Sequence, residues 1–179
     1  MTNVWLPMIP PTSPTPGGNV SAGALLALAD CAAGAAEQQF ALAADGSVKH
    51  APSGLCVQAP ASTGDQLTLA ACDAAAPQQR WAPAHGGNTL TNDASGSCVS
   101  FNNDNQLLDV GNPVITWACG SPPAWNEQWT FSCEVGGAPG AIQALDESGS
   151  PSGRCVAVQS AQPTGWTIRW LDSWSLKDY

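Results

Sequence analysis

Apolar residues in this chain gather into short runs separated by Gly, Asn, Asp and Pro. Three of the runs end in cysteine: Leu25-Leu26-Ala27-Leu28-Ala29-Asp30-Cys31, Leu67-Thr68-Leu69-Ala70-Ala71-Cys72 and Val114-Ile115-Thr116-Trp117-Ala118-Cys119. Runs this short, bounded by turn formers, predict β-strands. Alanine is abundant, but it sits in broken stretches without a sustained i, i+3, i+4 spacing, so helix is not predicted. Downstream of each cysteine comes a Gln-x-aromatic element: Gln38-Gln39-Phe40, Gln79-Arg80-Trp81 and its variant Glu127-Gln128-Trp129. A Ser-Gly-x-Cys-Val element follows, at Ser53–Val57, Ser95–Val99 and Ser152–Val156. The strand-end cysteines recur 41 residues apart (31 to 72) and then 47 apart (72 to 119). Each repeat of about 40 residues carries four short apolar or β-branched runs and is too small to bury its own apolar face. Three together can close an all-β barrel filled by the repeated aromatics.

Composition agrees with this pattern. Hydrophobic residues make up 44% of the 179, enough for a sizeable core, and only 11% are charged. Eighteen Gly and fifteen Pro favour a loop-rich β protein. The formal charge is −9 with five basic residues, too few to neutralise many phosphates, so nucleic acid is not an expected partner. Anionic membrane surfaces are disfavoured for the same reason, and no run of about 18 apolar residues predicts a membrane span. Seven cysteines point to an oxidising compartment and a secreted or extracellular protein. Met1 to Pro16 has neither a basic n-region nor a continuous apolar h-region, so the expectation is a mature domain or a piece of a longer secreted protein.

Three segments follow. Residues 1–19 include the linker-like Pro10-Pro11-Thr12-Ser13-Pro14-Thr15-Pro16. Residues 20–160 hold the repeats. Residues 161–179 form a Trp-rich tail, with Trp166, Trp170 and Trp174 in an alternating strand-like pattern. The tail is expected to pack on the barrel, the alternative being an aromatic patch exposed for a partner.

Three Gln-x-aromatic elements, each preceded by a cysteine and followed by Ser-Gly-x-Cys-Val, are strong together where one would be weak. Over roughly residues 20–160 the chain resembles the ricin B-type lectins, the β-trefoil family with Gln-x-Trp repeats. The resemblance implies a six-stranded barrel capped by three hairpins, with pseudo-threefold symmetry. It implies that Phe40, Trp81 and Trp129 are core residues. It also implies the disulfides Cys56–Cys72 and Cys98–Cys119, each worth roughly 3 kcal/mol through restriction of the unfolded chain. Cys31 has no earlier partner and Cys155 no later one. The expected closure is therefore permuted: Arg154 to Val158 supplies the first repeat's opening strand and Cys31 bonds Cys155. Failing that, the segment around Val4 to Met8 would be the first strand. Cys133 is left over, free or bonded outside the chain.

Little supports catalysis. His50 and His85 lie in polar, turn-like stretches without a partner motif, and no nucleophile elbow, zinc spacing or phosphate loop appears. No cofactor or metal is expected. Asn102-Asn103-Asp104-Asn105 offers oxygen ligands but lacks the spaced acids of an EF-hand, and reads as a hairpin turn. In the resembled family a galactose pocket combines four groups. An Asp lies two residues after the first-strand Cys, and an aromatic two before the second-strand Cys. An Asn precedes the Gln-x-Trp element, whose Gln is the fourth. The carboxylate accepts from sugar hydroxyls, the aromatic covers the apolar C–H face, and the amides hold the remaining hydroxyls. Here the Asp position holds Gln58, Ser100 and Ala157, the aromatic position Ala29, Ala70 and Trp117, and the Asn position Glu37, Gln78 and Asn126. Only the third repeat keeps both aromatic and Asn. The candidate sugar site is thus Ser100, Trp117, Asn126 and Glu127, with Asp104 on the following loop standing in for the missing carboxylate. The expected function is glycan binding, of a galactose-type or another sugar, by the domain alone or as the targeting module tethered to a glycan-active catalytic domain. The alternative is a structural or protein-interaction trefoil that has lost sugar binding.

Overall fold

The computed structural model describes residues 20–102, 108–133 and 135–159. The Pro-rich segment 1–19 and the Trp-rich tail 161–179 lie outside the described residues. Among the described residues twelve strands follow one another: β1 (Leu26–Asp30), β2 (Phe40–Leu42), β3 (Val48–His50), β4 (Cys56–Gln58), β5 (Thr68–Ala70), β6 (Trp81–Ala84), β7 (Thr89–Asn92), β8 (Cys98–Phe101), β9 (Val114–Trp117), β10 (Trp129–Phe131), β11 (Ile142–Leu145) and β12 (Pro151–Val158). They form three four-stranded antiparallel sheets, β2-β3-β4-β5, β6-β7-β8-β9 and β10-β11-β12-β1. The described helical turns are single 3-10 turns, and none is long and apolar enough to cross a membrane.

The sheets do not coincide with the sequence repeats. Each begins at the aromatic of a Gln-x-aromatic element and ends at the strand that leads into the next cysteine. The third sheet is completed by the first described strand, β1. β1 lies antiparallel to β12, with Leu26 opposite Val158, Leu28 opposite Val156 and Asp30 opposite Arg154. Cys31 is bonded to Cys155 at that junction, Cys56 to Cys72 and Cys98 to Cys119, all with Cα atoms 5.0 Å apart. The Arg154 guanidinium pairs with the Asp30 carboxylate across the same seam.

The sheets meet by threefold-related backbone bonds. Phe40, Trp81 and Trp129, the first residues of their sheets, donate their N–H to the carbonyls of Gly140, Gly46 and Asn88 at 2.7–2.8 Å. Inside the barrel, threefold-related side chains stack in layers: Leu26, Leu67 and Val114; Val57, Val99 and Val156; Val48, Leu90 and Ile142; and the three aromatics. All of them are buried, as the Gln-x-Trp reading expects. The Trp81 and Trp129 indole N–H groups donate to the carbonyls of Val57 and Val99, each at 3.0 Å. Cys133 is a free, buried thiol in this core, and burial pushes its pKa above the usual thiol value.

Candidate functional site

The first residue of each Gln-x-aromatic element, Gln38, Gln79 and in the third Glu127, ends a 3-10 turn (Ala36–Gln38, Pro77–Gln79, Trp125–Glu127) and reaches back to the chain around the preceding cysteine. Gln38 accepts from the Ala32 N–H at 2.9 Å and donates to the Asp30 carbonyl at 2.7 Å, thus bracketing Cys31. Gln79 does the same around Cys72, through the Asp73 N–H at 2.8 Å and the Ala71 carbonyl at 2.9 Å. A primary amide suits this position because it donates and accepts at once. Glu127 can only accept when ionised. Its carboxylate, 2% exposed, takes the Gly120 N–H at 3.0 Å and the Ala124 N–H at 3.2 Å. This residue thus braces the 120–124 loop and points away from open surface.

Trp117 ends β9 and pairs with Cys98 of β8, while Ser100 pairs with Ile115. The two-residue period of the ladder therefore puts Trp117 and Ser100 on one face. The Trp117 indole is 52% exposed. Its six-membered ring lies over Gly64, in the loop between β4 and β5 of the neighbouring sheet. Ser100 is fully buried, its hydroxyl donating to the Asn126 carbonyl at 3.2 Å. The Asn126 amide, 9% exposed, donates to the Ser100 hydroxyl at 2.9 Å and to the Phe101 carbonyl at 3.1 Å. Its Oδ1 accepts no bond from the described residues. Ser100 and Asn126 are thus in direct contact, Trp117 stands on the same face, and Glu127 turns to its loop. Asp104 lies outside the described residues. Of the other pocket positions, Gln58 is taken up by a bond from Gln79 at 3.0 Å, Ala157 is buried, and alanines at 29 and 70 offer no platform.

The family model of the ricin-type beta-trefoil lectin domain matches residues 15–123, more than half of the chain. The chain belongs to that family. No curated protein matches it. The lectin domain of this family is a carbohydrate-binding module, not a catalytic one. The matched span contains Ser100 and Trp117 and ends before Asn126, so the match alone does not reach the whole candidate site.

Of the two histidines of this lectin domain, only His50 departs from its sequence reading. His85 is exposed. His50 is not in a turn: it ends β3 and is 1% exposed, with Nδ1 2.8 Å from the Ser53 hydroxyl and Nε2 3.0 Å from the Ala36 carbonyl. Asn92, ending β7, holds the matching place in the next sheet and donates to the carbonyls of Gln78 and Arg80, each at 3.0 Å. Both side chains tie the turn before an aromatic strand to the hairpin behind it, which no local pattern reveals. Burial lowers the His50 pKa below its ordinary 6.5, opposed by the Ala36 carbonyl and the Glu37 carboxylate. Between 6.5 and that lowered value the unfolded chain binds a proton more readily than the folded one. The stabilisation is therefore complete above pH 6.5 and is lost as the pH falls through the folded pKa. Asp45 and Asp146 add a separate loss below their ordinary 3.8, because bonds from Ser47 and from Ser148 and Ser150 hold their pKa values down. In thermal melts across pH, His50→Asn should flatten the first decline and leave the second. An unchanged decline would locate it elsewhere.

Proposed function

We propose that this domain binds carbohydrate by stacking one sugar ring on Trp117, and that it serves as the glycan-targeting module of a larger secreted, glycan-active protein. The observation that carries the reading is the half-exposed indole at the position where the family places its sugar-stacking aromatic, on the same face as Ser100. Asn126 Oδ1 is the acceptor left for a sugar hydroxyl, and Asp104 is the proposed carboxylate. Glu127 acts indirectly, by holding the turn that carries Asn126. Three disulfides support an extracellular setting.

Stacking removes a small apolar area from water, at about 25 cal/mol per Å², so one site binds weakly. Useful retention then comes from several copies or from a tethered partner domain. Calorimetric titration with galactosides, mannosides and xylans tests this. Trp117→Ala should abolish binding without unfolding the domain, since the core aromatics are Phe40, Trp81 and Trp129. Asn126→Ala should weaken binding by about 1–3 kcal/mol and also lower the melting temperature, because its amide braces Ser100 and Phe101. Binding that survives Trp117→Ala would move the site to another face.

A second reading, a structural or protein-interaction trefoil, has one observation in its favour. The Ser100 hydroxyl and the Asn126 side-chain N–H groups are spent on each other and on backbone carbonyls. Failure of the wild-type domain to bind any glycan of the panel would favour it.

A further inference from the structure

Three glycines stand eight residues before the strand-end cysteines Cys31, Cys72 and Cys119: Gly23, Gly64 and Gly111. They occupy one threefold-related place. Their φ values are +89°, +95° and +89°. Each donates its N–H at 2.7 Å to a carbonyl three residues before a strand-end cysteine of an adjoining strand: Gly23 to Leu69, Gly64 to Thr116 and Gly111 to Leu28. The left-handed conformation accounts for glycine at all three positions. The surroundings do not repeat. A Cβ at Gly23 or Gly111 would meet none of the described residues within 4 Å. One at Gly64 would lie 3.0 Å from Cζ3 and 3.6 Å from Cε3 of Trp117. The cause is in the sequence: the residue after the accepting carbonyl is Ala70 beside Gly23, Ala29 beside Gly111 and Trp117 beside Gly64.

The loop under the indole is also fixed in height. The Gly64 N–H is bonded to Thr116, the residue before Trp117. Gln66 bridges to Ile115 and donates its side-chain amide to the Leu26 carbonyl at 2.7 Å. We infer that Gly64 is a positioning residue for the sugar platform: by lacking a Cβ it lets the Trp117 ring rest on the β4–β5 loop, so the binding surface is built jointly by two sheets. The inference rests on Trp117 being the stacking residue, but the pose itself is measurable without a ligand.

Gly23→Ala and Gly111→Ala are internal controls, because they carry the same backbone strain with no ring nearby. The three alanine variants should lose comparable thermal stability. Only Gly64→Ala should displace the Trp117 indole N–H cross-peak in the ¹H–¹⁵N spectrum, assigned by its loss in Trp117→Ala. Only Gly64→Ala should weaken binding of whichever glycan the wild type binds in the titration panel, by about tenfold or more. If Gly64→Ala does not fold while the two controls do, the double variant with Trp117→Ala should fold again; failure of that rescue would overturn the inference. So would an unmoved cross-peak in a folded Gly64→Ala. A moved cross-peak in a domain that binds no glycan would uphold the pose and reject the sugar-binding function.

Discussion

Replacing Cys31 and Cys155 together by alanine is expected to cost the most stability of any single crosslink removal, about 4–5 kcal/mol in the chain-entropy account. The bond spans 124 residues, against 16 for Cys56–Cys72 and 21 for Cys98–Cys119. The shorter bonds are nested inside the long one and shorten its effective loop. The logarithm makes that correction only a few tenths of a kcal/mol. Removing either shorter bond should cost about 3 kcal/mol. There is a structural reason for the same ranking. The long bond holds β1, the strand that completes the third sheet, and β1 brings Leu26 and Leu28 into the core. Urea denaturation of the three double-alanine variants would measure this. If the Cys31–Cys155 variant lost no more than the Cys56–Cys72 variant, packing of β1 rather than the crosslink would be closing the barrel.

Trp129→Ala should destabilise the domain by about 3–5 kcal/mol, as expected for emptying a large aromatic site in a packed core. That is a large share of the stability of a typical domain, roughly 5–15 kcal/mol. Trp129 is fully buried and meets Phe101 edge-on, with ring centroids 5.8 Å apart and an interplanar angle of 88°. Its indole N–H donates to the Val99 carbonyl at 3.0 Å, so truncation also strands a buried acceptor. Trp129→Phe separates the two contributions. Phenylalanine fills the threefold-related place at Phe40, so this variant should keep the fold and lose only about 1–2 kcal/mol, for the missing donor and the smaller ring. Equal losses for Phe and Ala would mean that the hydrogen bond, not the packed volume, dominates at this position.

Much of this protein was legible in its sequence. The cysteine-ended strands, the recurring Gln-x-aromatic elements and the Ser-Gly-x-Cys-Val segments repeat locally, and each local element maps onto a strand, turn or core position. The resemblance to the Gln-x-Trp family assigns Phe40, Trp81 and Trp129 to the core, one aromatic per repeat at nine or ten residues after a strand-end cysteine. The contrast of Trp117 with Ala29 and Ala70 also singles out one repeat from the sequence alone. What those residues do there was decided only by tertiary contacts. The Asn126 side-chain N–H donates to the hydroxyl of Ser100, 26 residues away. Glu127 faces two backbone N–H groups of a loop whose shape no motif encodes. His50 reads as a turn residue until the Ala36 carbonyl, 14 residues earlier, is folded against it. Gly64 comes to lie under Trp117 from another sheet, 53 positions away in the chain (64 to 117). The physical reason is the same in each case. Periodicity and composition report what a segment must bury or turn, whereas a site in a closed barrel is made where segments from different repeats meet, and that meeting is set by the packing of the whole.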